Sequence, residues 1–353
     1  MQKHLNTLFV TTDEAYLHKD GEAIDIRIEG TSKLRVPLHN LDGIVVFGYN
    51  SVVSASVLGA CAEKDISISF LSPHGKFMAA SRGYTSGNIL LRRQQYRMAD
   101  DPSATASIAR NIVLAKLANT RSILQRAARD HGDKRPDSAL RLQHAIDQIQ
   151  HRMRAIQNTA DVDEIRGYEG ESANAYFACF NDLITLSDSA TPASAAPMRF
   201  NGRTRRPPLD PVNALLSFFY ALLMHDCRSA LESCGLDPQC GFLHRDRSGR
   251  PSLALDLMEE FRGFLADRAT LSMINRQQIT AKDFEVRENG ATMLKEDSRK
   301  KVLLHWQERK LDEIVHPLLE EKMTIGLLPH IQARLLSRHI RGDLDAYPAY
   351  VWR

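Results

Sequence analysis

Asp256 and Glu259 lie three residues apart in LALDLMEEFR, so on a helix they share one face. Leu253, Leu255, Leu257 and Met258 surround them, and that face is expected to be partly buried. Two carboxylates so placed repel each other unless a proton or a cation is shared. Arg262, three residues beyond Glu259, offers a counter-charge that would make the pair purely structural. A third acid, Glu169, sits in RGYEGESA between Gly167 and Gly170, ahead of the apolar NAYFACF, with Glu171 as its rival. Glycines admit close approach of a backbone or ligand, yet both acids could equally be N-terminal helix residues favoured by the helix dipole. His244 in GFLHRDRSGRP follows two bulky residues and precedes an Arg- and Gly-rich turn. A lone histidine is usually structural. Taken together, hard oxygen donors plus one imidazole suit Mg²⁺ or Mn²⁺ better than a structural Zn²⁺. Beside arginine-rich surface they point to phosphate-ester chemistry.

The basic residues are unevenly spread. The formal net charge is only +3, from 46 Lys+Arg against 43 Asp+Glu, which taken alone speaks against a whole-surface polycation. Segment 101–160 nevertheless holds ten basic residues and five acidic ones. It reads as a nucleic-acid surface or as a solvated helical face. Arg199, Arg203, Arg205 and Arg206 form a second knot with no acid inside it. Clustered guanidinium groups repel unless an anion is near, so phosphate contact is expected there. Asn213 and Tyr220 lie seven apart on one helix stripe, either supporting the site or bridging packed helices.

The elements that must position these groups fall into two halves, as expected for 353 residues. Residues 1–95 read as short strands separated by Asp20-Gly21, Glu29-Gly30 and Asp42-Gly43, with one helix at Ser51–Asp65 and a turn at Pro73-His74-Gly75. In AIDIRIE the isoleucines Ile24, Ile26 and Ile28 alternate with Asp25, Arg27 and Glu29, which places the two sets on opposite faces of a strand. From about Asn88 the apolar spacing turns helical. Asp100-Asp101-Pro102-Ser103 is a break with Ser103 as the expected N-cap, Asp210-Pro211 starts another helix, and Ser187–Pro197 is a loop. The expected fold is α+β and multidomain. A β-rich domain (1–95) leads through a linker (96–105) to a larger all-α catalytic domain (106–353).

Other classes are disfavoured. The longest apolar run, Val212–Met224, is shorter than the roughly 20 residues of a bilayer span. The N-terminal apolar run stops at Val10, too early for a signal peptide. Five scattered cysteines with no CxxC suggest neither a zinc site nor a disulfide framework, so a cytoplasmic location is expected.

At RGYEGESANAYF, FNGRTRRPPLDPVNALLSFFYALL and GFLHRDRSGRPSLALDLMEEFR the chain resembles the CRISPR adaptation integrase family, the CRISPR-associated endonuclease "Cas one". The likeness runs over nearly the whole chain. The last of these motifs and the AYPAYVWR tail look most like the type I-C version. The resemblance implies a β-rich N-terminal dimerisation domain and a helical catalytic domain. It also implies a homodimer, bridged to a second by the small partner "Cas two". Its metal ligands fall on Glu169, His244 and Glu259, which would hold Mg²⁺ or Mn²⁺, with Asp256 beside the site and Glu171 and Glu260 as neighbours. The implied reaction is transesterification, in which the 3′-hydroxyl of captured double-stranded DNA attacks a phosphodiester at the edge of a CRISPR repeat. The same site could cut branched DNA. Arg203, Arg205, Arg206 and Arg245 are the candidate phosphate contacts. The residues alone leave two rivals, a non-catalytic nucleic-acid-binding scaffold and a metal-dependent phosphohydrolase. The second lacks a Walker-type phosphate loop.

Overall fold

In the computed structural model, residues 7–41, 43–64, 66–72, 77–81, 83, 89–185 and 198–352 are described. The turn expected at Pro73–Gly75 and the loop expected at Ser187–Pro197 lie outside them. The chain divides into two compact units, Met1–Gly87 and Asn88–Arg353.

The first unit is built from two four-stranded sheets. One runs β1 (Thr7–Val10), β5 (Gly43–Phe47), β7 (Ser67–Leu71), β8 (Phe77–Ser81), parallel except for the last pair. The other runs β4 (Thr31–Pro37), β3 (Ala23–Ile28), β2 (Tyr16–Asp20), β6 (Val52–Val53). The β3–β4 hairpin turns at Glu29-Gly30, both with positive φ (51° and 75°), as a tight hairpin of matching twist requires. Helix α1 (Ala55–Glu63) buries Val57, Ala60 and Cys61 among Val10, Leu17, Ile24, Ile44, Val46 and Ile68. Asp25, on the face opposite Ile24 and Ile26, is nevertheless buried. It is only 4% exposed, because Ser32 Oγ (2.5 Å) and Arg27 Nε (2.8 Å) donate to its carboxylate where the β3–β4 register shifts.

The second unit is mostly helical. Its helices are α2 (Ile89–Asp100), α3 (Pro102–His131), α4 (Pro136–Asn158), α5 (Val162–Ala178) and α6 (Pro211–Ser233). They continue with α7 (Ser252–Glu259), α8 (Arg268–Asn275), α9 (Glu296–Leu311) and α10 (Leu328–Ile340). A π-helical turn, Arg262–Asp267, joins α7 to α8. The unit is not purely helical. Two antiparallel ribbons, β9–β10 (Phe284–Val286, Thr292–Leu294) and β11–β12 (Glu313–Val315, Lys322–Thr324), interrupt it. The unit boundary falls ahead of α2. Residues 96–105, expected as a linker, form the end of α2, a cap and the first turn of α3. The cap is Asp101, whose carboxylate accepts from Ser103 N at 2.9 Å, rather than Ser103 itself. Asp210 caps α6 as expected, accepting from Asn213 N at 2.8 Å with Pro211 at the first helical position.

The long α3 packs on α4, α5, α7 and the π-helical turn, and so becomes the spine of the site. Among the described residues no helix is long and apolar enough to cross a membrane.

Candidate active site

Helix α7 carries Asp256 and Glu259 on its buried side, at 0% and 3% exposure, and aims them at different partners. Asp256 organises the preceding loop. Its carboxylate accepts the backbone N–H groups of Phe242 (2.6 Å), Leu243 (2.9 Å) and His244 (2.9 Å), and it meets His244 Nδ1 at 2.6 Å. That approach requires Gly241, where a Cβ would fall 2.8 Å from both the Asp256 carboxylate and Ser252. With Nδ1 engaged by a carboxylate, the imidazole is fixed in orientation, and Nε2 is the ring nitrogen placed to face a metal. The ring keeps 23% of its surface exposed.

Glu259 faces the other way, toward cations. Arg262 Nη1 donates to both its oxygens (2.8 and 3.0 Å), and Lys116 Nζ lies 2.6 Å from Oε2. Burial alone would raise this carboxyl, but Arg262, Lys116 and His244 outweigh it and hold it well below the usual carboxylate range. The same Lys116 ammonium donates to Glu169 Oε1. Glu169, from α5, and Glu259, from α7, are thus brought together across one cation. Among the described residues no three His, Cys, Asp or Glu side chains form a ready-made metal cage. The donor chemistry nonetheless fits a hard cation, since two carboxylates already share a positive charge beside an imidazole of fixed orientation.

Glu169 is not an N-terminal helix residue. Helix α5 begins at Val162, capped by Asp161 (Asp163 N to Oδ1, 2.8 Å), which puts Glu169 two turns inside. A Cβ on Gly167 or Gly170 would meet nothing within 4 Å, so packing does not demand either glycine, and they leave a bare strip beside Glu169. Glu171 points elsewhere, to Arg152 Nε at 2.8 Å.

Behind Arg262 lies a buried polar cluster. Asp267 accepts from Tyr220 Oη (2.5 Å) and Tyr176 Oη (3.0 Å), and Arg262 stacks over the Tyr220 ring at 4.4 Å. Burial raises the Asp267 carboxyl against the pull of Tyr220 and Arg262. Tyr220 therefore supports the site through Arg262, and Asn213 bonds Gly202 O (2.7 Å) and the Asp210 cap.

The candidate phosphate contacts separate. Arg203 is turned inward, donating to Thr204 O (2.6 Å) and Asn213 Oδ1 (2.8 Å) and lying over Tyr220. Phosphate contact was the expectation for Arg203, and its Nη1 is engaged here with Thr204, Asn213 and Ser217. Arg205 is exposed and borders the cleft that also holds Lys116, Glu169 and Arg262. Arg206 is exposed as well. Arg245 is bound to Asp163 at 3.0 Å, and hydrogen bonds from Arg245 and Arg166 hold the Asp163 carboxyl low. Several other cations of segment 101–160 are paired locally, such as Arg141 with Asp182 at 2.6 Å.

Sequence reasoning missed Lys116, counted only as one of ten basic residues. Its signal was a stripe. Ile112, Lys116, Asn119 and Ile123 recur at i, i+4, i+7, i+11, and a cation in an otherwise inward row calls for a buried anion. Glu260 was also passed over as a neighbour of the site. Its carboxylate accepts Tyr347 Oη (2.5 Å), Tyr350 N (2.7 Å) and Gln332 Nε2 (3.0 Å), which clamps the 347–352 segment against α7.

Comparison with known proteins agrees with this architecture. In fold, the chain is of the kind seen in a casposase bound to integration product (TM-score 0.82, 22% identity, 99% of this chain and 95% of that one). A Cas1 protein from Thermotoga maritima gives a TM-score of 0.75 at 22% identity, covering 96% and 97%. The sequence profile of CRISPR associated protein Cas1 matches residues 8–308. The CRISPR-associated endonuclease Cas1 1 of Chlorobaculum tepidum is 53% identical over 354 residues, spanning 100% of both chains. A Cas1 endonuclease of Rhodospirillum rubrum is 50% identical, again over 100% of both. The chain belongs to the CRISPR-associated Cas1 family.

Proposed function

We propose that this chain is a metal-dependent endonuclease and integrase of CRISPR adaptation, which joins the 3′-hydroxyl ends of captured double-stranded DNA to the CRISPR repeat. One observation carries the reading. Glu169 and Glu259, from helices distant in sequence, share a single cation beside a histidine whose ring Asp256 has locked. Relatives with the printed name of endonuclease match the whole chain, and a structure described as a Cas6-RT-Cas1–Cas2 complex shares the fold (TM-score 0.81, 100% of this chain and 36% of that one).

Glu169, Glu259 and His244 Nε2 would hold Mg²⁺ or Mn²⁺. When bound, the ion supplies Lewis acidity to the scissile phosphate and lowers the pKa of the attacking hydroxyl. The chain's own residues do the rest. Asp256 fixes the His244 ring through Nδ1, Arg262 prevents Glu259 from taking up a proton, and Arg205 at the cleft rim binds the phosphodiester backbone. In the reaction one P–O bond forms to the 3′-oxygen and one breaks, and the departing 3′-oxygen takes the proton that the attacking hydroxyl loses. The number of phosphodiesters is unchanged, so no energy source is required. The β-rich unit would pair two copies, with a small Cas2-type partner bridging the dimers, and the work would be done in the cytoplasm.

The test is a plasmid integration assay with a repeat-bearing target, with and without Mn²⁺. A metal contribution of several kcal/mol corresponds to about 10³-fold. Glu169→Ala and His244→Ala are each expected to lose about that much joining while remaining folded by circular dichroism. Wild-type joining by both variants would refute the assignment, and binding with no covalent product at any metal concentration would make the chain a scaffold. Arg205→Ala is expected to weaken duplex DNA binding severalfold and to reduce its salt dependence by about one ion. An unchanged salt slope removes Arg205 from the contact surface.

A further inference from the structure

Lys116 occupies an unusual place. Its residue is 8% exposed and its side chain 9%, yet it carries a full charge on an otherwise inward stripe of α3. A buried ammonium is costly unless paired, and among the described residues it is paired with the two carboxylates assigned to the metal, Glu169 Oε1 and Glu259 Oε2. Among the groups in direct contact, Glu169 and Glu259 balance Lys116 and Arg262 without a metal. A divalent ion entering that neutral cluster would leave two uncompensated positive charges in a buried site. With Lys116 gone from between the carboxylates, the excess falls to one, and that one faces an anionic phosphodiester. Arg262 is the less mobile of the two cations, since its Nη1 donates to both Glu259 oxygens and its guanidinium is stacked on Tyr220. Lys116 is held by the carboxylates through its ammonium, on a flexible four-carbon stem beside the cleft.

We propose that Lys116 is an internal counter-cation that keeps the metal-free site assembled, and that divalent metal binds by exchange with its ammonium, which moves out to the cleft. The inference rests on the assignment of Glu169 and Glu259 as metal ligands. Two consequences separate it from a purely structural lysine. Metal affinity is set against a resident competitor, so removing the charge tightens binding. Metal also makes a protected amine reactive.

The experiment uses the full chain without DNA. Mn²⁺ binding is measured by titration calorimetry for wild type, Lys116→Met and Glu169→Ala. In parallel, wild-type protein is pulse-labelled with an amine-acylating reagent in EDTA or in saturating Mn²⁺, and labelling at Lys116 is read by peptide mass spectrometry. Lys116→Met is expected to bind Mn²⁺ about tenfold more tightly or better, and Lys116 labelling is expected to rise severalfold with Mn²⁺. Equal or weaker binding by Lys116→Met, with Glu169→Ala having lost binding, overturns the exchange alone. Undiminished binding by Glu169→Ala overturns the metal assignment and the exchange with it. Should Lys116→Met not fold, the labelling decides, and a lysine equally protected in both conditions overturns the proposal.

Discussion

Glu259 and Glu260 are consecutive, both acidic and both buried, at 3% and 0% exposure, yet the protein treats them in opposite ways. Glu259 looks toward charge, with Arg262, Lys116 and His244 around it, and is held ionised against its burial. Glu260 looks toward neutral donors, namely Tyr347, the Tyr350 backbone and Gln332. Burial wins there and lifts its carboxyl to about 7, the three hydrogen bonds only moderating the rise. The difference is a matter of partners rather than of residue type or depth. An approaching cation finds a charged ligand on one side of the α7 terminus, and on the other a carboxyl that serves as a hydrogen-bonding hub for the 347–352 segment.

The sharpest way to break the contrast is Glu259→Gln. It leaves the Arg262 and Lys116 charges short of a partner, a loss of about 3–5 kcal/mol for a broken buried pair, read as a lowered denaturant midpoint in EDTA. A change below about 1 kcal/mol would mean that the cations are not held by this carboxylate. Glu260→Gln should act in the opposite direction, and with pH. A carboxyl raised in the folded state contributes stability that is fully present below its unfolded value near 4.5 and is lost as pH rises through about 7. That displacement is worth roughly 3 kcal/mol. In metal-free buffer the variant should therefore gain on wild type between pH 4.5 and 8 and match it at the acid end. A pH-independent difference would show that Glu260 does not titrate there. Tyr347→Phe, which removes only one donor to Glu260, is expected to cost about 1–3 kcal/mol in chemical denaturation. It should leave Mn²⁺ affinity within a factor of two or three, since it acts on the hub and not on the ligands. A tenfold loss of affinity would show that the two sides are coupled.

The two-unit α+β division was legible because periodicity two and periodicity 3.6 occupy separate stretches of chain. Within the site, the spacing of Asp256 and Glu259 correctly placed both on one helix and on its buried side. Periodicity could not show that the first reaches back to the His244 loop while the second reaches across to α3, because partners twelve residues away and 143 away look alike from the sequence. The apolar run beyond Glu169 does not mark the start of α5, because the Asp161 cap lies two turns earlier. Arg203 was read as a phosphate contact since clustered guanidinium groups call for an anion, but Asn213 and Ser217 supply acceptors that only the folded α6 aligns. Lys116 was hidden by counting, since a net charge over sixty residues cannot mark the one cation that faces inward.

One side chain ties distant stretches of the second unit together. Asn119, one turn beyond Lys116, donates to Glu260 O (2.8 Å) and Tyr350 O (2.9 Å) and accepts from Trp352 N (2.7 Å). Those partners lie 141, 231 and 233 residues away along the chain. The helix that carries Lys116 and the turn that follows Glu259 are thus fastened to each other and to the C-terminal segment through one amide, so two walls of the site share a single point of attachment.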